Sequence, residues 1–321
     1  MTDLPAIDVV IPAYNAGKYL ERSVNSIWQT GYPAVNIYIV DDGSTDNTLD
    51  VARRVAAAAP DRCFALQHPG GENRGVSQSR NVGISSGKAP WLAFLDADDT
   101  YLPNRFEFFT QHVSRIANDS DAHSAVDAIY EMCEIRVDEE LESDQRWDVG
   151  ANPKFGISEP LERMDLLARL MQSDTWAVSA ITVKREAAEF AGLFDPSLSI
   201  AEDCHLWIRL VATRLVIPGT LDRPVSLYFR HGSNSFQFSE ANRLNHFASV
   251  IDARRKVKDL GAPREVLRAM DDSIGQLARR IVSATDPASR RGIARKILYA
   301  AARRHFLFPL MNRQLVRQAL W

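Results

Sequence analysis

Three carboxylates fall within four positions in Asp96-Ala97-Asp98-Asp99, directly after the apolar run Trp91-Leu92-Ala93-Phe94-Leu95. The apolar run reads as a buried strand, so the carboxylates stand where that strand ends. Acidic groups this close repel one another, and they lose hydration if buried. A bound divalent cation removes both costs. Hard oxygen ligands suit Mg²⁺ or Mn²⁺, and these ions usually carry substrate phosphates. The competing reading is a solvated acidic turn.

The elements that must position this cluster can be read from periodicity. Ile7 to Ile11 reads as a first strand, stopped by Pro12. Helical spacing follows from Ala16 to Thr30, with Tyr19, Leu20, Val24, Ile27 and Trp28 on one face. Val35 to Val40 is a second strand, ending in the turn cluster Asp41-Asp42-Gly43-Ser44-Thr45-Asp46. Asp46 is expected to cap a helix that stops at Pro60. Cys63 to Leu66 is a third short strand. The glycine-rich loop His68 to Gly75 then precedes a helix from about Val76 to Ser85. Four strand–helix alternations predict a mainly parallel sheet with helices on both faces. In such sheets ligands bind at the carboxyl ends of the strands. Asn15, Asp41 with Asp42, the glycine-rich loop and the Asp96 cluster all fall on that one rim.

Later segments are less regular. Strands are expected near Ala125 to Cys133, over Trp176 to Lys184 and over Val225 to Phe229. Asn152 to Pro160 reads as a loop. Helices are expected over Met164 to Gln172, over Glu202 to Ala212 and almost throughout the chain beyond Asn242, with a break at Asp286-Pro287.

The 321 residues suffice for one large α/β domain plus an appendage. Cys63, Cys133 and Cys204 show no C-x-x-C spacing, so neither a disulfide framework nor a cysteine-rich zinc site is expected. The opening Met1-Thr2-Asp3-Leu4-Pro5 lacks the basic and apolar regions of a signal peptide, and no stretch has the apolar length to span a bilayer. A cytoplasmic location is the resulting expectation, with peripheral contact at the inner face of the membrane as an extension of it. The net charge of -3 conceals an asymmetry. Residues 251–321 hold 16 Lys and Arg against 6 Asp and Glu, a net of +10 on an otherwise acidic chain. Such a segment forms a separate basic surface or packs back on the acidic body.

These motifs, in this order, resemble the family 2 inverting glycosyltransferases. The matching pieces are Val9 to Asn15, Val40 to Thr48, Asn73 to Ser77 with Arg80 to Gly83, Leu95 to Asp99, Gly192 to Asp195, Ala201 to Trp207 and Tyr228 to Ser233. The resemblance covers about residues 5 to 240. It implies an α/β, GT-A fold, Rossmann-like, with a basic helical C-terminal extension over 241–321. Within a domain of 1–240 it implies a nucleotide-sugar half over about 1–100 and an acceptor half over about 101–240.

The implied activity is metal-dependent, inverting transfer of a sugar from a nucleotide-diphosphate sugar to a hydroxyl. A UDP-sugar is the leading donor, the enzyme is hexosyltransferase-like, and the setting is polysaccharide or glycoconjugate biosynthesis. The acceptor would be a sugar or a lipid-linked glycan. The resemblance puts Pro12, Tyr14, Asn15, Asp42, Arg74, Arg80, Asp96 and Ala97 at the nucleotide. Tyr14 offers a flat face for stacking, Asp42 accepts from a base N–H or a hydroxyl, and guanidinium forks suit anionic oxygens. Asp42 otherwise caps a turn, and Arg74 and Arg80 otherwise form pairs with Glu72 or Asp61. Mn²⁺ or Mg²⁺ would be held by Asp98, Asp99 and His231, with the choice between the two aspartates open. Asp203 is implied as the general base, with Glu202 in support, although either carboxylate suits a helix N-terminus. Trp176 and Ser179 are candidate acceptor contacts, with core packing as the alternative; Trp207 reads as core.

In the tail, basic and apolar residues alternate at helical spacing from Arg290 to Leu310. That pattern fits an anionic membrane surface, a second copy of the chain, or packing on its own domain. Three rival functions follow from the same residues. A catalytically inactive nucleotide-sugar- or glycan-binding module would keep the donor site without turnover. A haloacid-dehalogenase-like phosphatase would use Asp96 as nucleophile, but that pattern normally sits on the first core strand. A dinucleotide-binding dehydrogenase lacks its G-x-G-x-x-G after the first strand. No aromatic–basic platform points to nucleic acid.

Overall fold

The structure is a computed structural model and describes residues 4–118, 126–137, 154–230, 240–285 and 289–303. In chain order, the first half holds β1 (Ile7–Ala13), α1 (Leu20–Gln29), β2 (Val35–Asp41), α2 (Thr48–Ala57), β3 (Cys63–Gln67), α3 (Val76–Ser86) and β4 (Trp91–Phe94). Then come β5 (Thr100–Tyr101), α4 (Glu107–Asn118), β6 (Ala128–Tyr130), β7 (Cys133–Val137), β8 (Lys154–Phe155), α5 (Arg163–Met171), β9 (Ile181–Lys184) and α6 (Arg185–Phe190). The remainder holds α7 (Glu202–Thr213), β10 (Val216–Pro218), β11 (Ser226–Arg230), α8 (Glu240–Asp259), α9 (Arg264–Ser283) and α10 (Arg290–Arg303). Two compact units result. One comprises Met1–Pro160, Thr175–Ser199 and Arg214–Asn234; the other comprises Leu161–Asp174, Ile200–Thr213 and Ser235–Trp321.

The first unit is built on a seven-stranded sheet in the order β10-β6-β9-β4-β1-β2-β3. β1 lies parallel to both β2 and β4, and β2 lies parallel to β3; β9 runs antiparallel between β4 and β6. Side chains alternate across a strand, so β1 supplies both faces. Ile7, Val9 and Ile11 join a core with Leu20, Val24 and Ile27 of α1, Val51, Ala52 and Ala56 of α2, and Phe109 of α4. Val10 points to the other face, where α3 passes so close that a Cβ on Gly83 would lie 2.4 Å from a Val10 methyl. Helices therefore cover both faces, and the carboxyl ends of β1 to β4 share one rim, as expected. A second sheet, β5-β11-β7-β8, completes the unit.

Several boundaries depart from the sequence reading. Trp176 to Ser179 is not strand: Val178–Ala180 form a 3₁₀ turn and β9 begins only at Ile181. The apolar–polar alternation there reflects burial within a turn. The expected Asn152–Pro160 loop carries the short strand β8. Asp46 stands one residue ahead of the α2 N-cap, Asn47, but its carboxylate still accepts the Thr48 N–H at 2.9 Å. The break expected at Asp286-Pro287 lies outside the described residues.

The second unit is helical. α9 buries Val266, Met270, Ile274, Leu277, Ala278 and Ile281 at three- and four-residue spacing, one apolar stripe of an amphipathic helix. α10 buries Ile293, Ala294, Ile297 and Ala301 while Arg291, Arg295 and Lys296 face outward. Its apolar stripe thus packs within its own unit against α8 and α9. A bidentate Arg254–Asp271 pair at 2.7 and 2.9 Å ties α8 to α9. Among the described residues no helix is long and apolar enough to cross a membrane.

Candidate active site

The rim of the parallel strands begins with the end of β2. Ala13, Asp41 and Gln67 stand in register across β1, β2 and β3. Asp42 follows, and its carboxylate accepts the backbone N–H groups of Arg74 at 2.7 Å and Gly75 at 3.0 Å. The glycine-rich loop is thereby pinned to the end of β2. His68 completes the joint, with Nε2 at 2.8 Å from Ser79 Oγ and 3.3 Å from Asp42 Oδ1. Gly43 makes the close approach feasible. Its φ of +74° lies in the left-handed region, and a Cβ there would meet the Asn73 amide nitrogen at 2.6 Å. Asp42 therefore shapes the loop, and its acceptor capacity is largely committed to that loop.

Tyr14 and Asn15 directly follow the end of β1. Tyr14 is 52% exposed and offers a flat aromatic face on the rim. Asn15, at φ +49°, accepts from Thr45 N at 2.8 Å and donates its own N–H to Ser44 Oγ at 3.0 Å. Pro12 is buried on β1 beyond its last pair with β4, Val10–Phe94, where a missing N–H breaks no ladder bond.

The Asp96 cluster turns tightly after β4, with Asp99 N–H donating to Asp96 O at 3.0 Å. The three carboxylates differ. Asp96 Oδ1 accepts from Arg80 Nη2 at 2.8 Å, and the buried Arg80 side chain lies 5.1 Å over the Phe194 ring. Asn81, next to Arg80, holds Phe194 by reciprocal backbone bonds of 2.8 and 3.2 Å. Asp98 stays partly exposed. Asp99 is buried, and its Oδ1 accepts the Phe229 N–H of β11 at 2.9 Å. Burial, reinforced by the neighbouring charges of Asp98 and Asp96, pushes the Asp99 carboxyl well above the usual carboxylate range. Asp96 and Asp98 are thus the carboxylates of this turn with access to solvent. Helix α1 braces the turn from behind: Ser23 Oγ lies 2.7 Å from Ala97 O and 2.6 Å from Asp99 O, and Arg22 Nη2 donates to Asp98 O at 2.7 Å.

Arg74 is a surface residue, its guanidinium 3.1 Å from Glu72, as the plainer reading had it. Trp176 is 1% exposed and stacks on Tyr130 at 4.6 Å between centroids. Ser179 is also buried, its hydroxyl 3.0 Å from Ser226 Oγ. Both residues therefore pack inside the first unit. His231 lies outside the described residues. In the second unit, Glu202 and Asp203 open α7, partly exposed, with Asp203 Oδ1 accepting the Cys204 N–H at 2.6 Å. Acidic groups in a helix's first turn suit its positive end. Trp207, further along α7, is core as expected. His68, Arg22 and Ser23 were not singled out from sequence. A histidine opening a glycine-rich loop and polar residues in an amphipathic helix carry no motif of their own.

Residues 8–135 match the family described as "Glycosyl transferase family 2". An uncharacterized glycosyltransferase of Rickettsia typhi is 28% identical over 233 residues, 71% of this chain and 62% of that protein. The chain thus spans somewhat under two thirds of that relative's length. The glycosyltransferase GlyG of Streptococcus pneumoniae is 38% identical over 108 residues, 33% of this chain and 35% of that one. Among solved structures, TarS 1-349 of S. aureus in complex with UDP-GlcNAc aligns with a TM-score of 0.65 at 15% identity, over 98% of this chain and 88% of the other. The mannosyltransferase PcManGT of Pyrobaculum calidifontis, in complex with GDP-Man and Mn²⁺, aligns with a TM-score of 0.53 at 17% identity, over 100% and 88%. At these identities the structural likeness is one of fold.

Proposed function

We propose that this chain is a family 2 glycosyltransferase of GT-A fold and transfers a sugar from a nucleotide-diphosphate sugar to a hydroxyl acceptor with inversion. A UDP-sugar is the leading donor, and a sugar or lipid-linked glycan is the acceptor class. The observation that carries this reading is the convergence of Tyr14, the Asp42-pinned loop, the Arg80–Asp96 pair and Asp98 on one rim of a parallel sheet. Such a rim is where nucleotides bind in α/β folds. The ligands carried by TarS and PcManGT, UDP-GlcNAc and GDP-Man, are of the same chemical class.

Tyr14 stacks on the base, and the backbone of the pinned loop lies beside it. Arg80, 2.8 Å from the Asp96 carboxylate, orients it toward the ribose. The residues present fit a hard divalent cation, because the partly exposed Asp98 offers carboxylate oxygen at a strand end. PcManGT carries Mn²⁺; here Asp98 is the leading ligand, with His231 and Asp99 as further candidates from the motif. Mn²⁺ or Mg²⁺, when bound, neutralises charge developing on the diphosphate leaving group. Asp203 acts as general base. It takes the acceptor hydroxyl proton while that oxygen bonds to the anomeric carbon and the bond to the diphosphate oxygen breaks. One in-line displacement inverts the anomeric centre.

The test is incubation with UDP- and GDP-sugars, Mn²⁺ and a panel of glycan acceptors, reading nucleoside diphosphate release and the anomeric configuration of the product by NMR. Release with an inverted product is expected. Retention of configuration, or no release from any donor with any acceptor, contradicts the reading.

A further inference from the structure

Two segments of the first unit converge on Arg22 of α1. Its guanidinium Nη2 donates to the Asp98 carbonyl at 2.7 Å. The same guanidinium carbon lies 4.1 Å from the centre of the Phe229 ring on β11 and 5.6 Å from the Tyr19 ring. Phe229 in turn donates its N–H to Asp99 at 2.9 Å. The candidate cation turn, Asp96 to Asp99, and strand β11 thus share one guanidinium. A planar guanidinium can hydrogen-bond at its edge while its face lies on an aromatic ring. Fixing the Asp98 carbonyl fixes its peptide plane, and with it the direction in which its side chain leaves the backbone. Ser23, one residue on, places its single hydroxyl proton between the carbonyls of Ala97 and Asp99, whose oxygens lie 2.7 and 2.6 Å from its Oγ. The turn is therefore held from one face of α1 by two donors, Arg22 at the Asp98 carbonyl and Ser23 at the carbonyls flanking it.

We propose that Arg22 is a positioning residue for the cation: it holds the Asp98 turn against β11 so that the carboxylate meets the metal without reorganising. This rests on the metal-dependent transfer reading above. Groups that orient a metal ligand without touching the metal commonly alter metal affinity by about 10–100-fold when removed.

The test is a Mn²⁺ titration followed by electron paramagnetic resonance, with UDP and GDP each at saturation. It uses the wild type, Arg22→Ala, Arg22→Lys and the surface control Arg54→Ala on α2, which removes the exposed pair between Arg54 and Glu21 of α1. Arg22→Ala should raise the apparent Mn²⁺ dissociation constant about 10–100-fold, with melting within about 2 °C of wild type. Arg22→Lys keeps a donor but loses the planar stack, so it should fall between. Arg54→Ala should titrate as wild type. In turnover assays the loss in Arg22→Ala should be recovered by excess Mn²⁺. An Arg22→Ala titration that matches wild type overturns the proposal, as does a loss that metal does not relieve. A wild type that takes up no Mn²⁺ beside either nucleotide overturns the metal reading itself, and this proposal with it.

Discussion

Asp98 and Asp203 are assigned different tasks, so their variants should fail differently. Asp203→Asn keeps size and the helix-start hydrogen bond but cannot accept the acceptor proton. Transfer should fall by at least about 100-fold while nucleotide binding by calorimetry stays near wild type; unchanged turnover removes Asp203 as base. Asp98→Ala should instead weaken Mn²⁺-dependent nucleotide binding and leave the metal-free component unchanged. An Asp98→Ala protein with the wild-type metal requirement removes Asp98 as ligand. Gly43 is a third residue with a defined task. At φ +74° and with a neighbouring backbone nitrogen at 2.6 Å from an added Cβ, Gly43→Ala has no room to relax. It should cost more than about 1–2 kcal/mol and loosen the glycine-rich loop, read as a lowered melting temperature together with weaker nucleotide binding. A melting temperature equal to wild type would contradict this.

At the scale of elements, the parallel half of the fold was legible because β1, β2 and β4 are mostly apolar runs, interrupted by Asp8 in β1 and Asn36 in β2, that stop at polar residues. Such runs are what strands buried on both faces require. The Trp176–Ser179 segment was misread for a related reason: a buried turn and a half-buried strand can share the same alternation. The brace behind the Asp96 turn was illegible, because Arg22 and Ser23 look like ordinary polar positions on an amphipathic helix. The interior ion pair of Arg105 and Glu131 was equally hidden. Arg105 lies 2.9 Å from the Glu131 carboxylate and also donates to Ser179 O, Ile181 O and Thr182 Oγ1. Both side chains are 0% exposed, and burial raises the Glu131 carboxyl against the opposing pull of Arg105. Arg105→Ala leaves an uncompensated buried carboxylate and should cost about 3–5 kcal/mol in denaturant unfolding. The paired replacement Arg105→Met with Glu131→Leu should recover much of that loss. A single variant as stable as wild type would show that the network contributes little.

At the scale of the whole molecule, the basic tail and the acid response belong to the helical unit. The apolar stripe of α10 is used within that unit, so contact of α10 with an anionic surface would run through its exposed basic residues, among them Arg290, Arg291, Arg295 and Lys296, the last 2.9 Å from Glu240. His205 and His246 are buried there, His205 with Nε2 at 3.2 Å from Asp252 and His246 with Nε2 at 3.3 Å from Met171 O. Burial lowers each imidazole from 6.5 to about 4, outweighing the Asp252 and Met171 acceptors, while Arg209 and Lys256 near His205 and Arg280 near His246 act in the same direction as burial. Between those values the unfolded chain binds more protons than the folded one, so stability is full above about pH 6.5 and falls as pH drops toward 4. Each histidine contributes up to about 3 kcal/mol to that slope. Denaturant unfolding followed by far-UV ellipticity should show it, and His246→Phe should flatten it; a curve level from pH 7 to 4 would contradict the burial argument.

The most direct test of the donor site is calorimetric titration with UDP, GDP, dTDP and CDP, each with Mn²⁺ and with chelator. The account predicts binding of one nucleotide, UDP first, that is weakened by chelator and by Asp98→Ala. Binding of none of the four, with the protein folded, would contradict it.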